Sequence, residues 1–450
     1  MKDLDLGKTK VNKIFWVYVI PSVFSIIFST TAQFIDTAFI GRYIGSTGLA
    51  SITMLFPFIM ILNGISIMIA IGGVTYAGIS RGKNEIEKSN NYFNLTMIMI
   101  AVAAVISTGI FLVINLNFGM LFDVDSVTLS QIQAYGFWIS LFFIFNMMNL
   151  TFNLFLNLDR KPMLVVLISS LSTILNVILN YVFIVVLGLG MAGVAVASGI
   201  SQVVPSLIFV YVIIKKSTWK FRFPKIFLSD IARILFNGSS ELISISSVSI
   251  SSFILNKLIL SSIGITGIAG FSIAMQLGGL VISFGFGVSD AIQSPISFNY
   301  GAELYDRVRL ILRKAVKLNL LFGLGLAIIS NLFSRVFVEF LIKDPETITF
   351  AIHILRFYSI AFIVMGTNVI ISTYYTSVDS PIISGVITVL KSLVFLFLWL
   401  AILPLLFKED GIWLAIVFAE FSTIITAYFI YLKYPLGKRK IKLDLQFANL

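Results

Sequence analysis

Long apolar runs, each ended by charged or turn-forming residues, dominate the chain. A transmembrane helix needs about 20 predominantly apolar residues, and twelve runs reach that length. They predict transmembrane helices over residues 14–40, 49–79, 91–116, 132–157, 163–187, 191–215, 235–262, 267–298, 315–341, 350–377, 382–407 and 411–432. The pattern therefore predicts an all-α integral membrane protein with short loops and no room for a soluble domain.

Basic residues are concentrated in alternate loops. The terminal segments and the loops after the second, fourth, sixth and eighth predicted helices hold 25 of the 32 Lys and Arg residues. Because positively charged loops stay in the cytoplasm, we expect both termini there, in a bacterial cytoplasmic membrane. This topology explains the net charge of +11 without a nucleic-acid partner. The lack of cysteine and the single histidine exclude disulfides and multi-histidine metal sites.

The two halves of the chain repeat each other at an offset close to 219 residues. The segment IGSTGLASI at 44–52 matches IGITGIAGF at 263–271, and Asn149 and Pro162 match Asn368 and Pro381. Six helices per half make this a parallel repeat, which predicts two pseudo-symmetric six-helix lobes around a central cleft. The predicted organisation is a cytoplasmic tail (1–13), an N-lobe (14–215), a linker (216–234), a C-lobe (235–432) and a basic tail (433–450). The basic linker is expected to form an amphipathic helix on the membrane surface.

Several ordered segments give the chain a resemblance to the multidrug and toxic compound extrusion (MATE) transporters. They include FIDTAFIGRYIGSTGLASI in the first helix, LNLDRKP before the fifth, NGSSEL opening the seventh and DGIWLAIVFAE opening the twelfth. The wider superfamily also contains polysaccharide flippases. The resemblance implies a secondary active exporter of cationic or amphipathic small molecules, coupled to Na⁺ or H⁺, that works by alternating access of the two lobes.

Asp36 lies well inside the first predicted helix, where a charged residue is costly. It matches the acidic residue in the first helix of MATE transporters, which implies a coupling site that binds a proton or Na⁺. Gln33 lies on a similar face and is expected to join this site. The alternative is an aspartate at the level of the outer headgroups with no coupling role.

Asn176 and Asn180 share one face of the fifth predicted helix. Asn180 is expected to reach the depth of Asp36 from the opposite end of the lobe. The family pattern here is Asn-x-x-x-Asp, so Asn180 stands where an aspartate is usual and cannot carry a proton. Asp36, Asn176 and Asn180 are candidate Na⁺ ligands; for the two amides, helix packing is the alternative.

Asparagines form a stripe along the fourth predicted helix. Asn146, Asn149, Asn153 and Asn157 lie on one helical face, and Asn368 repeats Asn149 in the tenth helix. Amides facing lipid are unfavourable, so the stripe must face protein or water. It either lines a substrate cavity or joins helices through hydrogen bonds worth about 0.6–2 kcal/mol each, and both readings stay open.

Glu241, Asp290 and Lys391 are expected to form a charge network in the inner half of the C-lobe. In the functional version, an acid releases Lys391 when substrate or cation binds. In the structural version, a buried ion pair neutralises itself. Glu420 in the twelfth helix is the repeat partner of Gln202 in the sixth.

The sequence contains no GxxxxGK[ST] phosphate loop and no plausible catalytic arrangement. We therefore expect no enzyme activity and no cofactor beyond the coupling ion. The expected partners are the small-molecule substrate and membrane lipids, with the chain acting as a monomer. The alternative function is a flippase for lipid-linked oligosaccharides. Such a flippase needs basic cavity residues to hold a pyrophosphate, so the sign of the charge in the cleft separates the two functions.

Overall fold

The computed structural model describes residues 5–121, 125–341, 345–434 and 436. Every regular element within these ranges is helical, and they contain no strand. Residues 1–4, 435 and 437–450, which belong to the predicted cytoplasmic tails, lie outside the described residues.

The N-terminal half supplies six membrane spans. Its helices are α1 (Val11–Tyr43), α2 (Ser46–Gly82), α3 (Ile86–Leu116), α4 (Phe118–Leu121), α5 (Ser126–Leu141), α6 (Phe143–Leu158), α7 (Pro162–Asn180) with a π-helical turn (Tyr181–Val186), and α8 (Gly190–Lys216). Helices α5 and α6 are bent by 49° and form one broken span. The Asp125 carboxylate accepts hydrogen bonds from two backbone N–H groups and so caps the start of α5.

The C-terminal half repeats this order. Its helices are α9 (Leu228–Ser262), α10 (Ile265–Gly301), α11 (Tyr305–Leu332), α12 (Ser334–Leu341), α13 (Pro345–Ser377), α14 (Pro381–Val389) with a π-helical turn (Leu390–Phe395), α15 (Leu396–Phe407) and α16 (Asp410–Lys433). Among the described residues, eleven helical segments are long and apolar enough to cross a membrane, and the bent pair makes twelve. The predicted twelve-span fold is confirmed; the ninth predicted span, 315–341, begins earlier than expected and is interrupted before α12.

The backbone turns repeat along with the sequence. Gly45 and Gly264, 219 residues apart, each precede a helix with a φ of 94°. Asn84 and Glu303, at the same offset, adopt left-handed φ values of 61° and 60°. Left-handed conformations are uncommon for residues other than glycine, so their recurrence at equal spacing shows that both halves share one backbone path.

The backbones of the two lobes are in close contact where α2 and α10 end. A Cβ atom added to Gly82 would lie 2.0 Å from the carbonyl oxygen of Phe298, and Gly301 is equally close to the backbone of α2. This is the end of the molecule that carries the N-terminal segment, because the Asn299 amide donates a hydrogen bond to the carbonyl of Leu6 at 3.1 Å. The structure is therefore closed at that end of the cleft.

The prediction of an amphipathic helix in the linker is wrong for residues 217–227, which form no regular helix. Side chains of α3 hold this segment extended: Asn90 both donates to the carbonyl and accepts from the N–H of Lys220. Trp219 is 2% exposed and packs into the N-lobe core. The side-chain amide thus pairs with backbone N–H and C=O groups of the linker, which in a helix would be paired within the helix itself.

Candidate functional site

A polar cavity of about 470 Å³ lies in the N-lobe. Side chains of α1, α2, α6, α7 and α8 converge on it, and Ile245 of α9 borders it from the C-lobe. Its polar lining residues are Ser29, Asp36, Asn63, Ser66, Asn146, Asn149, Asn153, Ser169, Ser172, Thr173, Asn176, Ser198, Ser201 and Gln202. Of the described residues in this lining, only Asp36 is charged. The cavity thus combines many hydrogen-bonding groups with one ionisable group.

Asp36, Asn176 and Asn180 form a connected group that we call the Asp36 cluster. The Asn180 Nδ2 group donates a hydrogen bond to the Asp36 carboxylate and lies 3.3 Å from Asn176 Oδ1. Asn176 in turn donates to the hydroxyl of Ser198 at 3.4 Å. Asn180 is completely buried, and a π-helical turn begins at the next residue. Asn180 therefore meets Asp36 at the depth that counting along the helices predicted, and Asn176 is connected to the carboxylate through Asn180.

One acceptor atom in this cluster has no partner. Asn180 Oδ1 is buried and makes no hydrogen bond within the described residues. Leaving such an atom unsatisfied costs about 1–3 kcal/mol. The Nδ2 group of the same amide is hydrogen-bonded to the carboxylate of Asp36. Two oxygen-bearing groups without a nearby base are the ligands that a hard cation prefers.

Tyr135 of α5 is a neighbour of Asp36 that the sequence analysis did not identify. Its side chain is 9% exposed and interacts electrostatically with the Asp36 carboxylate. The only signal available was a tyrosine in an apolar helix, which usually marks packing. Gln33, which was expected to join the site, has a side chain outside those that the structure describes.

The asparagine stripe divides between cavity lining and helix packing. Asn146, Asn149 and Asn153 line the cavity, and Asn153 Oδ1 has no hydrogen-bond partner within the described residues. Asn149 also joins α6 to α8, since its Nδ2 group donates to the carbonyl and side-chain oxygens of Gln202 at 2.9 and 2.7 Å. Asn157 lies outside the cavity lining and is 4% exposed. Both roles predicted for the stripe therefore occur in it.

Asn368 lies outside the N-lobe cavity and repeats the packing contact of Asn149. Its Nδ2 group donates to the backbone and side-chain oxygens of Glu420 at 3.1 and 2.6 Å. The amide clamp between the fourth and sixth spans of one lobe thus recurs between the corresponding spans of the other.

The expected network of Glu241, Asp290 and Lys391 divides into two groups. Lys391 forms an ion pair with Glu420, with 3.0 Å between Nζ and Oε1. Glu241 instead accepts a hydrogen bond from Thr376 at 3.4 Å and interacts electrostatically with Asp290. Lys391 lies in a π-helical turn, and such a turn changes which side of the helix a residue faces.

Within the described part of the C-lobe, the positions that correspond to the Asp36 cluster hold apolar residues. The three residues 219 positions after the cluster are Leu255, Phe395 and Trp399. Leu255 belongs to the hydrophobic core of the C-lobe, and both aromatic side chains pack against that core. The space that is polar in one lobe is therefore filled with apolar side chains in the other.

Known proteins show the same architecture. The model of the MatE family matches residues 21–182 and 242–401. The chain is 22% identical over 387 residues to the "Probable multidrug resistance protein YoeA" of Bacillus subtilis (strain 168), covering 81% of each chain. An outward-facing structure of a multidrug resistance MATE family transporter aligns with a TM-score of 0.90 at 20% identity, covering 96% of this chain and 98% of that one. A mutant of the Vibrio cholerae MATE transporter VcmN aligns at 0.88 and 16% identity, covering 95% and 98%.

Proposed function

The chain belongs to the MatE family, and from this premise we propose that it is a secondary active exporter of cationic or amphipathic small molecules. One observation carries the proposal: among the residues that the structure describes, Asp36 is the only charged one lining a polar cavity of about 470 Å³. A single negative charge among amides and hydroxyls attracts a positive ligand. The name of the Bacillus subtilis relative, a probable multidrug resistance protein, supports the same substrate class.

The Asp36 cluster is the proposed coupling site for Na⁺ or H⁺. Once the Asn180 amide turns so that its buried, unpartnered Oδ1 replaces Nδ2 beside the carboxylate, oxygens of Asp36, Asn176 and Asn180 would hold Na⁺. For H⁺, rotation of the Asn180 amide by half a turn would let protonated Asp36 donate to that oxygen. A cationic substrate and the coupling ion would compete for one carboxylate, so binding of either favours release of the other.

Alternating access follows from the two-lobe arrangement. With the basic loops in the cytoplasm, the contact of the lobes at the ends of α2 and α10 closes the cytoplasmic side of the cleft. The protein would then act as a monomer in a bacterial cytoplasmic membrane, in contact with lipids and without enzymatic chemistry. The flippase alternative is not supported, because the described residues that line the cavity include no basic side chain that would hold a pyrophosphate.

The test is efflux of ethidium from preloaded cells under an imposed Na⁺ gradient or an imposed pH gradient. We expect efflux to follow one gradient and to fall at least about tenfold in Asp36→Asn, the range expected when the coupling between two ligands is lost. The matched control is Asp125→Asn, which removes a carboxylate from the same lobe but keeps a side chain that caps α5.

Two results would contradict the proposal. The first is equal efflux by Asp36→Asn and the native protein under the gradient that drives transport. The second is well-expressed native protein that moves no cationic dye under either gradient, which would favour a narrow or lipid-linked substrate.

A further inference from the structure

A second recess lies on the face of the C-lobe opposite the N-terminal segment. It has a volume of about 530 Å³ and lies between α12 and the first turns of α13. The residues that give it its character are Arg335, Glu339, Ile348, Ile352, His353 and Arg356. We call this the outer recess. It is remote from the Asp36 cluster, which lies in the other lobe, and the proposed export mechanism does not use it.

The polar groups of the outer recess are unequally paired. Arg335 donates through Nε to Glu339 at 2.6 Å, and His353 lies 2.6 Å from the carboxylate of Asp410. Arg356 is exposed, and its side chain makes no ion pair or hydrogen bond with the residues that the structure describes. Among the described residues, the recess therefore presents one guanidinium without a partner, that of Arg356, near Arg335, whose ion pair with Glu339 uses only its Nε group.

The depth of Arg356 places its backbone about 6 Å inside the hydrocarbon layer, within reach of the headgroups for a long arginine side chain. Helix α13 has 33 residues, so it is roughly 50 Å long at 1.5 Å per residue. A hydrocarbon core of about 30 Å leaves roughly 10 Å of a centred helix beyond each side. Arg356, eleven residues after Pro345, lies roughly 16 Å from the start of α13. A guanidinium at this level extends toward the headgroups, where lipid phosphates supply the missing negative charge.

Exposed apolar side chains flank the two arginines of the outer recess along the chain. Ile360 lies one turn beyond Arg356 and is 41% exposed. Leu332 and Phe333, at the end of α11, are 74% and 53% exposed, and Val336 of α12 is 65% exposed. A soluble anion would use only the basic part of this surface. A phospholipid matches both parts, since its phosphate reaches the arginines and its acyl chains cover the isoleucine and leucine side chains.

We propose that the outer recess binds the phosphate of an anionic phospholipid in the leaflet opposite the basic loops. Arg356 is the principal ligand, and Arg335 contributes its Nη groups. Because α12 joins the recess to α11, a bound lipid connects α11, α12 and α13 at this end of the C-lobe.

The test is native mass spectrometry of the purified full-length protein in detergent, titrated with phosphatidylglycerol or with phosphatidylcholine. We expect tighter binding of one phosphatidylglycerol, and an affinity about tenfold lower in Arg356→Gln, as for the loss of one charge-assisted hydrogen bond. Arg356→Lys keeps the charge and is expected to retain the preference for phosphatidylglycerol. The matched control is Arg42→Gln. Arg42 is an exposed arginine in the last turn of α1 and lies outside the recess.

Three results would overturn the proposal. Equal binding of phosphatidylglycerol by Arg356→Gln and the native protein would show that Arg356 is not a ligand. An equal loss in Arg42→Gln would indicate general surface charge. Displacement of the lipid by millimolar inorganic phosphate would identify a site for soluble anions instead.

Discussion

Asp159 joins the linker to the N-lobe, and its replacement gives a sharp test of the interactions that hold the linker. Its side chain is 1% exposed and pairs with Arg81, at 3.5 Å, and with Lys161. It also accepts hydrogen bonds from the hydroxyl of Ser217 at 2.8 Å and from the backbone N–H of Thr218. One carboxylate therefore satisfies two cations and the start of the linker.

Removing the charge of Asp159 leaves Arg81 without its counter-ion. The Arg81 side chain is 11% exposed, and its guanidinium lies 3.8 Å above the ring of Trp219. Removing one partner of a buried ion pair costs about 3–5 kcal/mol. Asn keeps one acceptor oxygen, and Lys161 can turn to solvent. We therefore expect Asp159→Asn to lower the free energy of unfolding by about 3 kcal/mol.

The measurement is unfolding in mixed detergent micelles titrated with dodecyl sulfate and followed by circular dichroism. The control is Asp306→Asn, which also breaks an aspartate–arginine pair, but one whose aspartate is 96% exposed. An exposed pair contributes about 0–1 kcal/mol. A double-mutant cycle with Arg81→Gln measures the coupling of Arg81 with Asp159. Equal effects of the two aspartate substitutions, or a coupling near zero, would refute the assignment of Asp159 as a buried ionic centre.

Two further predictions concern the C-lobe and the contact between lobes. Glu420→Gln leaves Lys391 without its partner and is expected to lower the free energy of unfolding by about 3 kcal/mol. Adding Lys391→Met should restore most of the lost stability. No recovery in the same detergent titration would contradict the pairing. Gly301→Ala places a Cβ 2.1 Å from the carbonyl oxygen of Ile79 and should impair ethidium efflux. Gly325→Ala, with no atom within 4 Å of the added Cβ, should leave efflux unchanged, and an equal effect of both would contradict the close contact.

Membrane spans could be predicted from the sequence because their length and apolar character are local properties. The same holds for the meeting of Asp36 with Asn180. Each residue's depth follows from counting along its own helix at about 1.5 Å per residue, and the structure places the two side chains in contact. The neighbour that each helix face contacts is not a local property of the sequence, and the predictions of these contacts were incomplete.

The C-lobe charges illustrate this limit. Depth alone placed Lys391 beside Glu241, but the lysine lies in a π-helical turn and pairs with Glu420. A π-helical turn inserts extra backbone into the helical repeat, and no residue pattern in this segment indicated it. The extended linker was missed for a similar reason, since its backbone partner Asn90 lies 130 positions earlier in the chain.

The duplicated scaffold explains how one lobe can keep a cavity while the other fills it. Asn149 with Gln202 and Asn368 with Glu420 make the same amide clamp, so both lobes hold the corresponding spans together in the same way. In the C-lobe the acceptor is a carboxylate, and Lys391 compensates its charge. In the N-lobe the acceptor is neutral and the position of the lysine holds a serine, so no ion pair occupies the space beside the clamp. Among the described residues, the neutral clamp thus leaves the Asp36 carboxylate without a competing lysine or arginine, which is the condition that the proposed cation binding requires.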